Sequence, residues 1–227
     1  MRIGIDISQI VYETGVSCYT RNLVRALLKI DKSNNYILFG GALRRFNDLN
    51  QFSRELKGNV VKKFYPLSPM MLDFLWNKFH RFPVENFVGD VDVFHCSDWT
   101  QPPARRAKIV TTIHDLVPIL YPESSHPKIV AVHKRRLEWV KKEADRIIAV
   151  SEATQNDIIT YLGIPAEKIS VIYEAPDLVF VPVGETRVGE ARGKYKLPKE
   201  YLLAVGADPR KNLARIAQAL DKIPDAP

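Results

Sequence analysis

The amino-acid sequence predicts an α/β chain with a doubly wound, mainly parallel, Rossmann-like sheet. Two observations carry this expectation. Short β-rich runs alternate with helical patterns from the first residues almost to the last. The helical stretches carry apolar side chains three or four positions apart, a stripe that has to lie against a sheet. Strands joined through such crossover helices run parallel and are covered on both faces.

Taken in order, the strands are expected at residues 2–7, 36–39, 59–65, 91–96, 108–113, 146–150, 168–173 and 201–205, each dense in Ile, Val, Leu, Tyr or Phe. Helices are expected at 16–30, 69–79, 128–144, 152–162 and 211–220. In the first of these Val16, Tyr19, Leu23, Leu27 and Ile30 form the stripe. The others follow the same rule. Residues 1–175 read as one domain. Residues 176–199, with Pro176, Pro182, Gly184, Gly189 and Pro198, lose periodicity and read as a linker. Residues 200–227 read as the first strand–helix unit of a second, truncated domain, too short to bury a core of its own.

Composition narrows the function classes. The 227 residues carry 33 Lys+Arg against 26 Asp+Glu, a formal charge of +7, with 46% hydrophobic residues and two cysteines. That excludes disordered, fibrous and disulfide-built chains. No run approaches the roughly 18 apolar residues of a spanning helix, and the N-terminus lacks the apolar core of a secretory signal, so a cytoplasmic protein is expected. Cys18 and Cys96 are expected as free thiols. The excess positive charge suits phosphates of any kind. The cations are spread over Arg44-Arg45, Lys62-Lys63, Lys134-Arg135-Arg136 and Lys141-Lys142, which read as solvated faces. No spacing supports nucleic-acid binding.

Several segments could carry chemistry. The loop 12–19 joins a strand to a helix N-terminus, a position where open α/β sheets attract anions. Gly15 is its only glycine, so a dinucleotide cofactor is not expected, and Thr14 is a candidate cap. Val110-Thr111-Thr112-Ile113-His114-Asp115 ends a strand with a His-Asp pair at the edge where ligands gather, and His114 is the favoured functional residue. His95, Ser97 and Asp98 end the neighbouring strand and are candidates for the same crevice. No metal site is expected, because no helix carries paired histidine ligands. His80, His126 and His133 read as surface or packing residues. Ser151 reads first as an N-cap. Phe74, Leu75, Trp76, Phe79 and Phe82 read as core packing before lipid contact. Arg210 and Lys211, at a strand-to-helix turn, suit a phosphate held at a helix start.

Together these segments resemble the retaining glycosyltransferases of family 4, which share the two-domain GT-B architecture. The resemblance runs through Gly4-Ile5-Asp6, Thr14-Gly15-Val16 with Tyr19, Asp92-Val93-Phe94-His95, Thr112-Ile113-His114-Asp115, residues 144–151, residues 169–173 and Val205-Gly206 with Pro209-Arg210-Lys211-Asn212-Leu213. It implies an N-terminal acceptor-side domain followed by the start of a donor-binding domain. It also implies transfer of a sugar, mannose among the candidates, from a nucleotide-sugar donor to a glycan or lipid-linked acceptor, without a metal or other cofactor. On that footing His114 contacts the donor sugar, Gly15 lies near the donor phosphate, and Arg210 and Lys211 neutralise the diphosphate. Asp115 and Ser151 are supporting candidates. Ser17-Cys18 stands where family members commonly have a second glycine and a basic residue. The family's Glu-x7-Glu segment falls beyond Pro227, so efficient catalysis by these 227 residues alone is not expected. A sugar-nucleotide epimerase and a non-catalytic binding protein are the rival readings. The basic helix 128–142 is the expected contact with an anionic membrane at its inner face.

Overall fold

The computed structural model describes residues 1–177, 179–206 and 211–223. The chain divides into two units, Met1–Ala175 and Pro176–Pro227, each described by itself. The first holds seven strands: β1 (Arg2–Asp6), β2 (Asn35–Gly41), β3 (Val60–Tyr65), β4 (Val93–Cys96), β5 (Lys108–Ile113), β6 (Arg146–Ala149) and β7 (Ile169–Val171). They form one sheet in the order β3-β2-β1-β4-β5-β6-β7, and each neighbouring pair is parallel. The order reverses between β1 and β4, so a crevice opens at the carboxyl ends of those strands. Gly4 lies opposite Phe94 there, and a Cβ on Gly4 would sit 2.5 Å from the Phe94 ring. Only glycine lets the two central strands close over that ring.

Helices α1 (Gly15–Ile30), α2 (Phe46–Glu55), α3 (Pro69–Leu72), α4 (Glu85–Val88), α5 (Val117–Leu120), α6 (Pro127–Glu143) and α7 (Glu152–Asp157) connect the strands. Alternate residues of β2 serve different cores. Tyr36 and Leu38 pack with Val24 and Leu28 of α1 and Leu49 and Phe52 of α2. Ile37 and Phe39 pack on the other side with Leu72, Trp76 and Val88. The period of two thus covers both faces, as a doubly wound sheet requires. A third cluster joins Ile113 and Ile147 to Leu137, Val140 and Ile158.

Several elements differ from expectation. Helix α2 was not anticipated, because only Leu49, Phe52 and Ser53 of its ten residues are buried and its apolar stripe is short. The helix expected at 69–79 begins as α3 and widens into a π-helical turn at Asp73–Lys78, and that at 152–162 widens likewise at Ile158–Leu162. The aromatic face assigned to core packing is divided: Trp76 is fully buried, whereas Phe74, Phe79 and Phe82 are half exposed.

In the second unit, α8 (Glu185–Tyr195) forms where a linker without periodicity was expected. It buries no residue, so no apolar stripe marked it, and Glu190 and Lys194 stand at the i,i+4 spacing that supports exposed helices. The strand expected at 201–205 is absent, and Tyr201–Gly206 is irregular and exposed. A parallel strand exists only through hydrogen bonds to a neighbour, and none pairs with it among the described residues. Helix α9 (Leu213–Leu220) follows. Among the described residues no helix is long and apolar enough to cross a membrane. Cys18 is exposed and Cys96 buried, both as free thiols.

Candidate functional site

The site is built where β1, β4 and β5 end and α1 begins. Thr14 caps α1 through a reciprocal box with Ser17, whose Oγ also donates to the Gln9 carbonyl at 2.6 Å. Ser17 is therefore turned inward and buried, and it does not crowd the approach to Gly15. A Cβ on Gly15 would meet no atom within 4 Å. The sixteen-residue helix α1 thus offers an open N-terminus at which backbone N–H groups favour an anion.

One turn further, Tyr19 touches the chemistry of β5. Its hydroxyl lies 3.2 Å from Thr112 Oγ1, which is also 2.9 Å from His95 Nε2. The Tyr19 ring meets the His114 ring edge-on at 4.8 Å. Burial raises the Tyr19 phenol, with the Thr112 hydroxyl acting in the opposite sense. His114 Nδ1 is hydrogen-bonded to Glu174 Oε1 at 2.9 Å, which fixes the ring and leaves Nε2 for a ligand. The His114 carbonyl accepts from Thr154 Oγ1 at 3.2 Å, and Thr154 in turn is bonded to Ser151, the N-cap of α7. Ser151 therefore caps a helix and braces the His114 backbone through one intermediary. Asp115 is exposed and accepts the Val117 N–H at the start of α5.

The remaining crevice candidates belong to an adjoining network. Asp98 Oδ1 pairs with Arg136 Nη1 at 3.0 Å, and its N–H donates to Gln9 Oε1. Arg136 Nη2 donates to Thr111 Oγ1 and to the Thr112 carbonyl at 2.9 and 3.1 Å. Arg136, expected on a solvated face, is 1% exposed. It falls in the same helical phase as Val132 and Val140, one turn away on either side, and that phase was the signal for its burial. Ser97 bonds Thr100, and Asp6 accepts from Ser8 and Thr100. Burial pushes the Asp6 carboxyl up against the lowering effect of these hydroxyls. Burial likewise pushes His95 down to about 4, helped by His114 and Arg136, so His95 is a neutral hydrogen-bonding group at pH 7. Ser8, Ser97, Trp99 and Thr100 line a small hollow of about 20 Å³ together with Pro69 and Leu72.

The structure thus links His114 to His95 through Tyr19 and Thr112 and to Ser151 through Thr154, with Ser97 and Asp98 alongside. Gly15 opens the helix that carries Tyr19. Lys211 is exposed in the second unit, and Arg210 lies outside the described residues. Sequence reasoning missed Glu174, Thr112 and Gln9 as site residues. Glu174 and Gln9 lie in no motif, and Thr112 was read only as part of the strand-end segment, because each acts on a partner distant in sequence. Among the described residues no group of three or more His, Cys, Asp or Glu is arranged to hold a metal ion.

The sequence profile of Glycosyltransferase Family 4 matches residues 14–179. The chain belongs to that family. Its matched segment contains α1, the His114 strand end and Glu174. The serotype-specific mannosyltransferase WbdA of Escherichia coli is 28% identical over 122 residues, covering 52% of this chain and 15% of the relative. O-antigen chain mannosyltransferase B of Escherichia coli is 30% identical over 125 residues, covering 54% of this chain and 32% of the relative. The chain therefore matches only a part of these longer relatives. The crystal structure of a glycosyltransferase from Rickettsia africae ESF-5 aligns with a TM-score of 0.50 at 15% identity, covering 87% of this chain and 50% of that one. That likeness concerns the fold, the α/β Rossmann-like architecture expected from sequence.

Proposed function

We propose that this family 4 protein transfers a sugar from a nucleotide-sugar donor to a glycan or lipid-linked acceptor hydroxyl, with retention of anomeric configuration. Mannose is the sugar favoured by the names of both Escherichia coli relatives. The observation that carries the reading is the fixing of His114. Its imidazole stands at the carboxyl end of β5, held by Glu174 on one nitrogen and by the Tyr19 ring on its side, beside an uncrowded helix N-terminus. In this reading Nε2 hydrogen-bonds a hydroxyl of the donor sugar, and the N-terminus of α1 at Gly15 receives the donor phosphate. Arg210 and Lys211 stabilise the leaving diphosphate, so the nucleotide sugar serves as co-substrate with no metal required. Asp115 and Ser151 support His114, Ser151 through Thr154. Ser97, Asp98 and neutral His95 shape the acceptor side. The work is done in the cytoplasm, at the inner face of the membrane.

The test begins with the coding DNA downstream of Pro227. The full reading frame is expressed and assayed with GDP-mannose and UDP-sugars, with and without a mannan or lipid-linked acceptor. The expected result is acceptor-dependent transfer that falls about a hundredfold in His114→Ala, in the range for losing a positioned acid–base or hydrogen-bonding group. Turnover of the nucleotide sugar without acceptor, yielding the epimeric sugar and not free sugar, would instead favour an epimerase. No nucleotide-sugar binding, combined with tight binding to a partner chain, would support a binding protein.

A further inference from the structure

Five large apolar side chains are exposed within thirteen residues: Met70 at 75%, Met71 at 46%, Phe74 and Phe79 at 49% and Phe82 at 52%. The surface is built, not frayed. Phe74 and Phe79 pack at 4.3 Å between centroids, and Lys78 Nζ lies over both rings at 5.6 and 5.7 Å. His80 and Phe82 both have positive φ, uncommon for such residues. The turn is pinned by the Trp76 indole donating to the Phe82 carbonyl and by His80 Nδ1 against the Trp76 carbonyl at 2.8 Å.

Charge decides what such a surface meets. Residues 66–82 contain one acid, Asp73, which is buried and paired with Arg135 at 2.5 Å. Lys78 and Arg81 stand exposed among the aromatics. Apolar side chains flanked by Lys78 and Arg81, with Asp73 buried and the neighbouring Glu143 held by His80 at 2.8 Å, complement a layer of apolar chains beneath anionic headgroups. The basic helix α6 is a poorer candidate, since Arg135 is committed to Asp73 and Arg136 is buried. Pro69 and Leu72 of the same element line the small hollow that Ser97 and Trp99 share at the end of β4.

We propose that α3, the π-helical turn after it and the turn at 80–82 form a docking surface for an anionic lipid bilayer, which sets the crevice at the ends of β1 and β4 beside the membrane. The bilayer contact stands without the glycosyltransferase reading. Only its use, delivery of a membrane-held acceptor to the crevice, rests on that reading.

The test is co-sedimentation of the 227-residue chain with phosphatidylcholine vesicles and with phosphatidylglycerol–phosphatidylcholine vesicles, at low and high salt. Binding is expected only to the anionic vesicles and is weakened by salt. It is expected to fall about tenfold or more in Lys78→Glu/Arg81→Glu, and by a similar factor in Phe74→Ser/Phe79→Ser. Lys141→Glu/Lys142→Glu should leave most of it. Melting temperatures identify any variant that fails to fold, and Met70→Ser, at the most exposed position, then carries the apolar arm. A wild-type chain left in the supernatant, or variants that bind like wild type, would overturn the proposal. So would a concentration-dependent dimer abolished by Phe74→Ser/Phe79→Ser with no lipid binding, which would make a second copy the occupant. No sugar transfer by the full reading frame, with vesicle binding intact, would defeat the enzymatic reading and leave this one standing.

Discussion

Arg136 is a cation withdrawn from water, and it is tolerable only because Asp98, Thr111 and the Thr112 carbonyl all receive it. Arg136→Ala would strand Asp98, and urea denaturation is expected to record a loss of about 3–5 kcal/mol. Arg136→Lys should recover only part of it, because a single ammonium cannot span three acceptors as a guanidinium does. His95 makes a different prediction. Its folded value of about 4 lies below the unfolded value of about 6.5, so between the two the unfolded chain binds more protons. Stability is therefore complete above that window and is lost as pH falls through it. His95→Gln should flatten the fall in urea midpoint between neutral pH and pH about 4 without abolishing it. His133, also held down by burial, remains, and Asp6, pushed up, acts in the opposite sense in both proteins. An unchanged slope in His95→Gln would mean that His95 protonates freely in the fold. His114 stood out in sequence as a candidate because a histidine at the end of a buried strand is out of place as packing. Glu174 did not, because sixty positions separate it from the ring it holds.

At the scale of elements, two glycines that look alike in sequence have opposite requirements. Gly4→Ala must displace the Phe94 ring from 2.5 Å and is expected to cost about 1–3 kcal/mol, as overpacked cores do. Gly15→Ala meets no atom, and thermal melts should show stability unchanged or raised by up to about 1 kcal/mol. A simultaneous loss of nucleotide-sugar turnover in the full reading frame would then mark Gly15 as a ligand contact, whereas full activity would remove it from the site. Most strands of the first unit were legible because they are compact apolar runs, although β3 carries Lys62 and Lys63 and no helix separates β4 from β5. Helix α2 buries too few residues to advertise itself, and α8 buries none. The run at 201–205 reads as a strand and is not one here, since apolar content signals a preference and the ladder needs a neighbour. The π-helical turns were invisible as well, because each spans only one turn, too short for a change of period to show in the apolar pattern.

At the scale of the whole molecule, the three buried clusters all lie within Met1–Ala175. A chain ending at Ala175 should therefore unfold cooperatively with a melting temperature close to that of the full chain, as calorimetry would record. A collapse of the transition would mean that residues 176–227 hold the sheet together. The strand order has a further consequence for synthesis. Ile5 pairs with His95, ninety positions later, so the central edge of β1 stays open while the ribosome makes everything between them. At roughly 5–20 residues per second that interval lasts several seconds. During it the nascent chain carries β1 with unpaired N–H and C=O groups along what will become the middle of the sheet, a template for pairing with any other extended chain. A strand that ends in the middle of the sheet begins as an aggregation hazard.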